Sequence, residues 1–346
     1  MKKAVLIASA VLLAIASLPI AIVACLLIFG TEKPPQPLSS VTNPFANMDY
    51  SGLPAIERYR ARDGVSLSYR TYPAGENEVA VLIHGSAGSS SDMHAMAQAL
   101  QRAGITAYVP DLRGHGANLP HGDLAYIGQL DDDLADFLRD AKPRHPGAKW
   151  TLVGFSSGGG FALRVAGGPL GPSFDHYALL SPFLRYNAPT MRPAETEQDG
   201  KPAANEKVWA VAYTKRIFGL LILNAIGVHS FDGLTVIAFA VPPNVSFLTA
   251  AYSWRMLQSF QPHDDFMADI RSVSRPTVVF VGEVDQLFYP QEFKPVFDSA
   301  RGDIPVTILP GLGHSDMVTS PVAIQAVASA LQRWSQSDAA PARPVN

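Results

Sequence analysis

The 346-residue sequence predicts an α/β domain: a mostly parallel, doubly wound sheet carrying an inserted cap and preceded by an N-terminal transmembrane helix. Three observations carry this reading. From Val79 onward, short and continuously apolar segments alternate with helical patterns, as in parallel strands covered on both faces. One such segment, Trp150-Thr151-Leu152-Val153, runs into Gly154-Phe155-Ser156-Ser157-Gly158 and a small-residue stretch, so that a serine stands at the apex of a strand–turn–helix. The alternation then breaks between Arg185 and about Pro262, which is too long for an ordinary connection, and resumes afterwards.

Residues 1–30 open with Lys2-Lys3 and continue as an apolar run over 4–29, the length a helix needs to cross a hydrocarbon core. An uncleaved membrane anchor is expected, because the apolar region of a secretory signal is shorter, about 7–15 residues. Ile22-Val23-Ala24-Cys25 resembles a bacterial lipoprotein cleavage box, so lipidation of Cys25 and secretion after cleavage are the alternatives. Lys2 and Lys3 bias the N-terminus to the cytoplasm and place the rest on the non-cytoplasmic side, periplasmic or extracellular in a bacterium. Residues 31–54, with Pro34-Pro35-Gln36-Pro37 and no apolar periodicity, read as an extended stalk.

The first part of the core is expected over 55–184. Alternation in 56–62 and 65–72 around Asp63-Gly64 predicts a hairpin, so the sheet opens with antiparallel strands. Strands follow at 79–83, 105–110, 149–155 and 176–180, with helices near 92–103 and 131–140 and after the Ser156 turn. The insertion, 185–262, begins polar and Pro-rich and turns apolar at 217–223; the stretch to 228 is too short for a second span and is interrupted by Asn224. It is expected to form a cap with an apolar inner face or a membrane-facing surface, with Leu221 and Leu223 as candidate lining of the substrate path. The second part of the core, 263–337, alternates helix (264–273), strand (277–281), helix (290–300), strand (306–309) and helix (321–334), and 338–346 reads as a disordered tail.

A net charge of −3 without a basic stripe argues against a nucleic-acid partner. The single cysteine, Cys25, lies in the N-terminal apolar run, so the globular part has no disulfide and no cysteine metal site. His84 and His94 are not at metal-ligand spacing and read as structural; no metal and no cofactor are expected.

A serine hydroxyl needs a base for its proton, an acid to hold that base and donors for the developing oxyanion. Gly282-Glu283-Val284-Asp285 follows the strand at 277–281, and Gly311-Leu312-Gly313-His314 follows the strand at 306–309. Both stand at carboxyl ends of parallel strands, where open α/β sheets build their sites. Ser156 is therefore the candidate nucleophile, His314 the base and Asp285 the acid, with Glu283 the second choice because it sits nearer the strand. His84-Gly85-Ser86-Ala87-Gly88 follows the third strand and offers the Ser86 N–H as one oxyanion donor, with the Ser157 N–H as the other. This turn lacks the Lys-Ser/Thr ending of a phosphate loop.

Taken together, His84-Gly85, Asp111-Leu112-Arg113-Gly114-His115-Gly116, the Ser156 turn and the Asp285 and His314 motifs resemble the α/β-hydrolase superfamily over about residues 56–334. The Asp-x-Arg-Gly-His-Gly stretch is similar to the monoacylglycerol lipase, lysophospholipase and serine aminopeptidase branch. The resemblance implies the α/β-hydrolase fold, the chain order Ser156, Asp285, His314, and a loop-shaping role for Asp111, Arg113 and His115. It also implies a serine hydrolase that cleaves carboxylic esters, lipid esters such as monoacylglycerol or lysophospholipid, through an acyl-enzyme; the expected membrane anchor comes from the N-terminal apolar run and, like the insertion, departs from the family pattern. An amidase or aminopeptidase using the same residues, or a non-catalytic lipid- or partner-binding member, are the alternatives. An epoxide hydrolase or dehalogenase would need a carboxylate where Ser156 stands.

Overall fold

The computed structural model describes residues 17–192, 208–243 and 245–339. Its strands are β1 (Glu57–Arg60), β2 (Ser66–Tyr72), β3 (Glu78–Ile83), β4 (Thr106–Pro110), β5 (Lys149–Phe155), β6 (His176–Leu180), β7 (Ala210–Ala212), β8 (Thr235–Phe239), β9 (Ala251–Ser253), β10 (Thr277–Gly282) and β11 (Val306–Leu309). The labelled helices are α1 (Ser39–Ala46), α2 (His94–Arg102), α3 (Gln129–Ala141), α4 (Ser157–Gly167), α5 (Thr214–Ala225), α6 (Trp254–Ser259), α7 (Phe266–Ser272), α8 (Pro290–Ala300), α9 (Asp316–Thr319) and α10 (Pro321–Ala339).

The main sheet has the order β1-β2-β4-β3-β5-β6-β10-β11. The β1/β2 and β2/β4 pairs are antiparallel and the remaining pairs parallel. Strand β3 shows why its sequence is apolar from Val79 onward: Val79, Val81 and Ile83 enter one core and Ala80 and Leu82 the other, so neither face meets water there. Phe137 of α3 and Phe161 of α4 pack in the first core. Met96 of α2 and Val327 and Leu331 of α10 pack in the second.

The turn from β5 into α4 is the tightest feature of this frame. Ser156 has φ 54° and ψ −119°, a conformation a side chain rarely adopts, held between two glycines that admit backbone where a Cβ would stand. A Cβ on Gly154 would lie 2.1 Å from the Gly158 carbonyl oxygen, and one on Gly158 would lie 2.4 Å from that of His84.

Between β6 and β10 the chain forms an antiparallel sheet of its own, β7-β8-β9, beside α5 and α6. The sequence shows no strand pattern here because these strands are short and β7 is only half-buried or exposed. Residues 17–29 are helical, and among the described residues no helix is long and apolar enough to cross a membrane. The first sixteen positions of the expected anchor lie outside the described residues. What is described packs on the cap: Leu27 joins Leu220, Val236 and Trp254 in an apolar cluster, and Arg216 Nε donates to the Leu27 carbonyl at 2.8 Å.

The stretch expected as an extended stalk carries α1, which lies against the protein body. Leu38 N–H donates to the Ala240 carbonyl at 2.9 Å, and the Ser315 hydroxyl donates to the Val41 carbonyl at 2.8 Å. With only Val41 and Phe45 apolar in SSVTNPFA, no helical period is legible; the helix depends on contacts distant in sequence. At the other end α10 continues to Ala339, beyond the expected start of the tail, and 340–346 lie outside the described residues.

Gly158→Ala is expected to destabilise the protein by about 1–3 kcal/mol or more, because the contact it would make is with fixed backbone rather than with a flexible side chain. The urea unfolding midpoint against wild type measures this, and an unchanged midpoint would mean that α4 can move away from His84.

Candidate active site

The ends of β5, β10 and β11 bring Ser156, Asp285 and His314 into one hydrogen-bonded line. His314 Nε2 lies 3.0 Å from Ser156 Oγ, and His314 Nδ1 lies 2.8 Å from Asp285 Oδ2. The other carboxylate oxygen, Oδ1, accepts from the N–H groups of Leu287 at 2.8 Å and Phe288 at 3.0 Å, so the turn after β10 fixes the carboxylate. An ionised carboxylate only accepts, which assigns the imidazole proton to Nδ1 and turns the Nε2 lone pair toward the serine hydroxyl. The ring itself is held by Phe155 and Phe288, with centroids 4.9 and 5.1 Å away, and its backbone N–H donates to Gln286 Oε1 at 2.9 Å.

All three side chains are buried: relative exposure is 5% at Ser156, 1% at Asp285 and 2% at His314. Burial by itself would raise the Asp285 carboxyl, but the His314 imidazole, its hydrogen bond and the Leu287 N–H outweigh it and hold the group below the usual carboxylate range. Glu283 does not reach the imidazole; its Oε2 accepts from the Gly311 N–H at 2.9 Å.

Ser86 and Ser157 meet on the opposite side of Ser156, their hydroxyls 3.0 Å apart. The Ser157 N–H belongs to the first turn of α4, where a helix supplies no acceptor and its dipole favours negative charge. Among the described residues the Ser86 N–H has no protein acceptor. The loop carrying Ser86 is pinned from the cap: Ala87, at φ 62°, donates its N–H to the Tyr252 hydroxyl at 2.8 Å, and that hydroxyl lies 2.6 Å from His115 Nε2. Burial and the neighbouring His84 push His115 well below the ordinary histidine range, so the ring is neutral and accepts the tyrosine proton. Tyr252 is a positioning residue that the sequence does not reveal, since nothing around it distinguishes it from a core tyrosine.

The remaining motif residues hold loops. Asp111 accepts from the Ser90 N–H at 2.6 Å and the Ser68 hydroxyl at 2.8 Å, and Arg113 pairs with Asp133 at 2.8 Å and Asp63 at 3.0 Å. His84 Nδ1 lies 2.8 Å from the Gly85 carbonyl and its Nε2 accepts from the Leu112 N–H, while His94 bridges the Tyr72 hydroxyl and the Ser51 carbonyl. Among the described residues no cluster of three or more His, Cys, Asp or Glu could hold a metal ion.

A cavity of about 30 Å³ fronts Ser156 and His314. Its apolar wall is Val41 and Phe45 of α1, Phe155, Trp209 and Leu287, and its polar side includes Ser86 and Asp92. Leu221 and Leu223, expected along the substrate path, do not line it; Leu221 is exposed and Leu223 packs against the cap cluster.

Comparison with known proteins agrees with this architecture. The family described as serine aminopeptidase, S33, matches residues 75–318. A curated relative, the sn-1-specific diacylglycerol lipase ABHD11 of Danio rerio, is 31% identical over 144 residues, which span 39% of this chain and 44% of that protein. A soluble variant of the Saccharomyces cerevisiae monoglyceride lipase superposes with a TM-score of 0.61 over 85% of this chain and 99% of its own at 16% identity. The Paleococcus ferrophilus monoacylglycerol lipase does so with 0.56 over 77% and 98%, also at 16% identity. At such identities the two structures establish the shared fold. The family match covers most of the chain, and with it the protein is a serine hydrolase of the α/β-hydrolase fold, belonging to the serine aminopeptidase S33 family.

Proposed function

We propose that the protein hydrolyses carboxylic esters, with Ser156 as nucleophile, His314 as general base and acid, Asp285 as the group orienting His314, and the N–H groups of Ser86 and Ser157 as oxyanion donors. The hydrogen-bonded line from Ser156 Oγ through His314 to Asp285 carries this reading. Ser156 Oγ attacks the ester carbonyl as its proton passes to His314 Nε2, and the ionised Asp285 stabilises the imidazolium. The tetrahedral oxyanion is held by the two N–H groups. Collapse breaks the bond to the alcohol, which leaves with the proton from Nε2. Water, deprotonated by the same nitrogen, then releases the acid and restores Ser156.

Pocket chemistry favours an ester over a peptide N-terminus. Beyond Ser156 and His314 the side chains of the wall are apolar except at Ser86 and Asp92, and the Asp92 carboxyl is pushed up to about 7 by burial, with Asp111 adding to the shift. A carboxyl raised this far is only partly ionised near neutrality and offers less to a substrate ammonium than an ordinary aspartate does. The names of the relatives support a lipid ester, such as a monoacylglycerol or lysophospholipid. Supply from a membrane fits the apolar run at the N-terminus and the outward side chains of Phe29 at its end and of Phe218 and Ile226 in the adjoining cap, which are 74%, 58% and 71% exposed. In this reading residues 1–30 anchor the chain with its catalytic part on the non-cytoplasmic side, and 185–262 is the cap.

Ser156→Ala is expected to abolish labelling by a fluorophosphonate probe while Ser157→Ala retains it. His314→Ala and Asp285→Asn should each lower kcat at least about 10²-fold, and their losses should not add in the double variant. Wild-type turnover in Asp285→Asn would remove the orienting role from that residue.

Deleting residues 1–37, which contribute no strand, should leave hydrolysis of short soluble esters intact and lower the rate on monoacylglycerol in liposomes. An unchanged ratio of the two rates would disprove supply from the membrane.

Folding raises the Asp92 carboxyl from about 3.9 in the unfolded chain to about 7. The native state therefore binds the extra proton between these values, and stability falls as pH rises through that window. The urea midpoint of wild type should drop between pH 5 and pH 8, and Asp92→Asn should reduce that drop; equal drops in both proteins would show that the carboxyl titrates normally.

A further inference from the structure

We propose that helix α1 is the outer wall of the acyl pocket, and that Val41 and Phe45 determine which acyl groups reach Ser156; the proposal rests on Ser156 being the nucleophile. The family match begins at residue 75, so α1 lies wholly outside the part of the chain that the family describes. It nevertheless closes the site. Val41 and Phe45, four positions apart and thus on one face of the helix, line the cavity in front of Ser156 and His314.

That cavity, about 30 Å³, has room for a water or two and none for an acyl chain. The opposite face of α1, with Ser39, Asn43 and Asn47, borders an open polar cleft of about 800 Å³ whose far side includes Gln98, Asp316 and Thr319. Helix α1 therefore stands between this small pocket and the open cleft, and trimming its inner side chains would enlarge the pocket.

The other apolar walls are less free to set the limit. Phe155 packs against the His314 ring at a tilt of 40°, and Leu287 donates its N–H to Asp285, so both are tied to the hydrogen-bonded line. Trp209 packs on Phe239 within the cap. Helix α1 is held by the Ser315 hydroxyl on the Val41 carbonyl, the Tyr50 hydroxyl on the Phe45 carbonyl at 2.8 Å, the Leu38 N–H on Ala240, the packing of Val41 with Leu38 and Ala240, and that of Phe45 on the second core, its ring 6.4 Å from that of Phe155. It contains Pro44, has no side-chain N-cap bond and is eight residues long. A long acyl group thus enters only by displacing Val41 and Phe45, whereas a short one disturbs them less.

The test uses the full-length protein and p-nitrophenyl acetate and octanoate, with rates normalised to the fraction of enzyme titrated by a fluorophosphonate at Ser156. The ratio of kcat/KM for octanoate over acetate should rise at least about tenfold in Val41→Ala and in Phe45→Ala, the scale on which a pocket discriminates a few methylenes. It should fall in Val41→Phe, which enlarges the same wall. Ratios within about twofold of wild type in all three variants would overturn the role of α1 while leaving the nucleophile in place. Fluorophosphonate labelling that survives Ser156→Ala would instead overturn the catalytic reading, and the proposal with it.

Discussion

The close approach of α4 to the end of β5 is the constraint on which the rest of the site depends. It is permitted by Gly154 and Gly158, whose missing Cβ atoms leave room for the backbone of Gly158 and His84. The result is a serine held at φ 54° at the rim of the sheet, its N–H on the Leu180 carbonyl and its own carbonyl accepting from Phe183 and Gly160. Backbone bonds on both sides of a strained residue over-determine its position, so the Oγ atom is aimed before any substrate arrives. The same turn presents the Ser157 N–H beside that oxygen. In the proposed reading, nucleophile and oxyanion donor are thus placed by a single piece of backbone.

Around that turn one carboxylate stays ionised in a buried setting while burial disfavours charge on several nearby groups. Asp285 keeps its charge because two backbone N–H groups and His314 replace the water it has lost. Burial lowers His84 and His115 and raises Asp92, which reduces the charge these loop-holding groups carry near the serine. An imidazolium forming at His314 therefore finds one strong counter-charge, in the direction that turns Nε2 toward Ser156. The His115–Tyr252–Ala87 chain extends this order to the Ser86 loop, coupling the cap to the oxyanion side through a neutral hydrogen-bond relay.

The N-terminal chain ties the remaining parts together. Its helical residues 17–29 lie on the cap through Leu27, the chain reaches the end of the cap sheet at Ala240, and α1 then crosses to Ser315, the residue after His314. Cap, pocket wall and His314 loop are consecutive stations of one strand of chain. Whatever the N-terminus engages is therefore connected mechanically to the entrance of the site.

Local periodicity and turn chemistry made much of this legible from residues alone. The alternation of apolar strands and helices, the Asp63-Gly64 hairpin, the Gly-x-Ser-x-Gly turn and the placement of Asp285 and His314 after strands all depend on neighbours within a few positions, and strand ends in such a sheet converge on one edge. The wall formed by Val41 and Phe45, the three short cap strands, the role of Tyr252 and the shift of Asp92 are decided by partners far along the chain: Ser315 for Val41, Ala87 for Tyr252, Asp111 for Asp92. An eight-residue helix with two apolar side chains has no stable existence of its own, and a three-residue strand has no period to read. The sequence by itself determined the frame and the chemistry at its edge. Only the tertiary structure decided what closes over that chemistry, because burial and long-range hydrogen bonds exist only once the frame has formed.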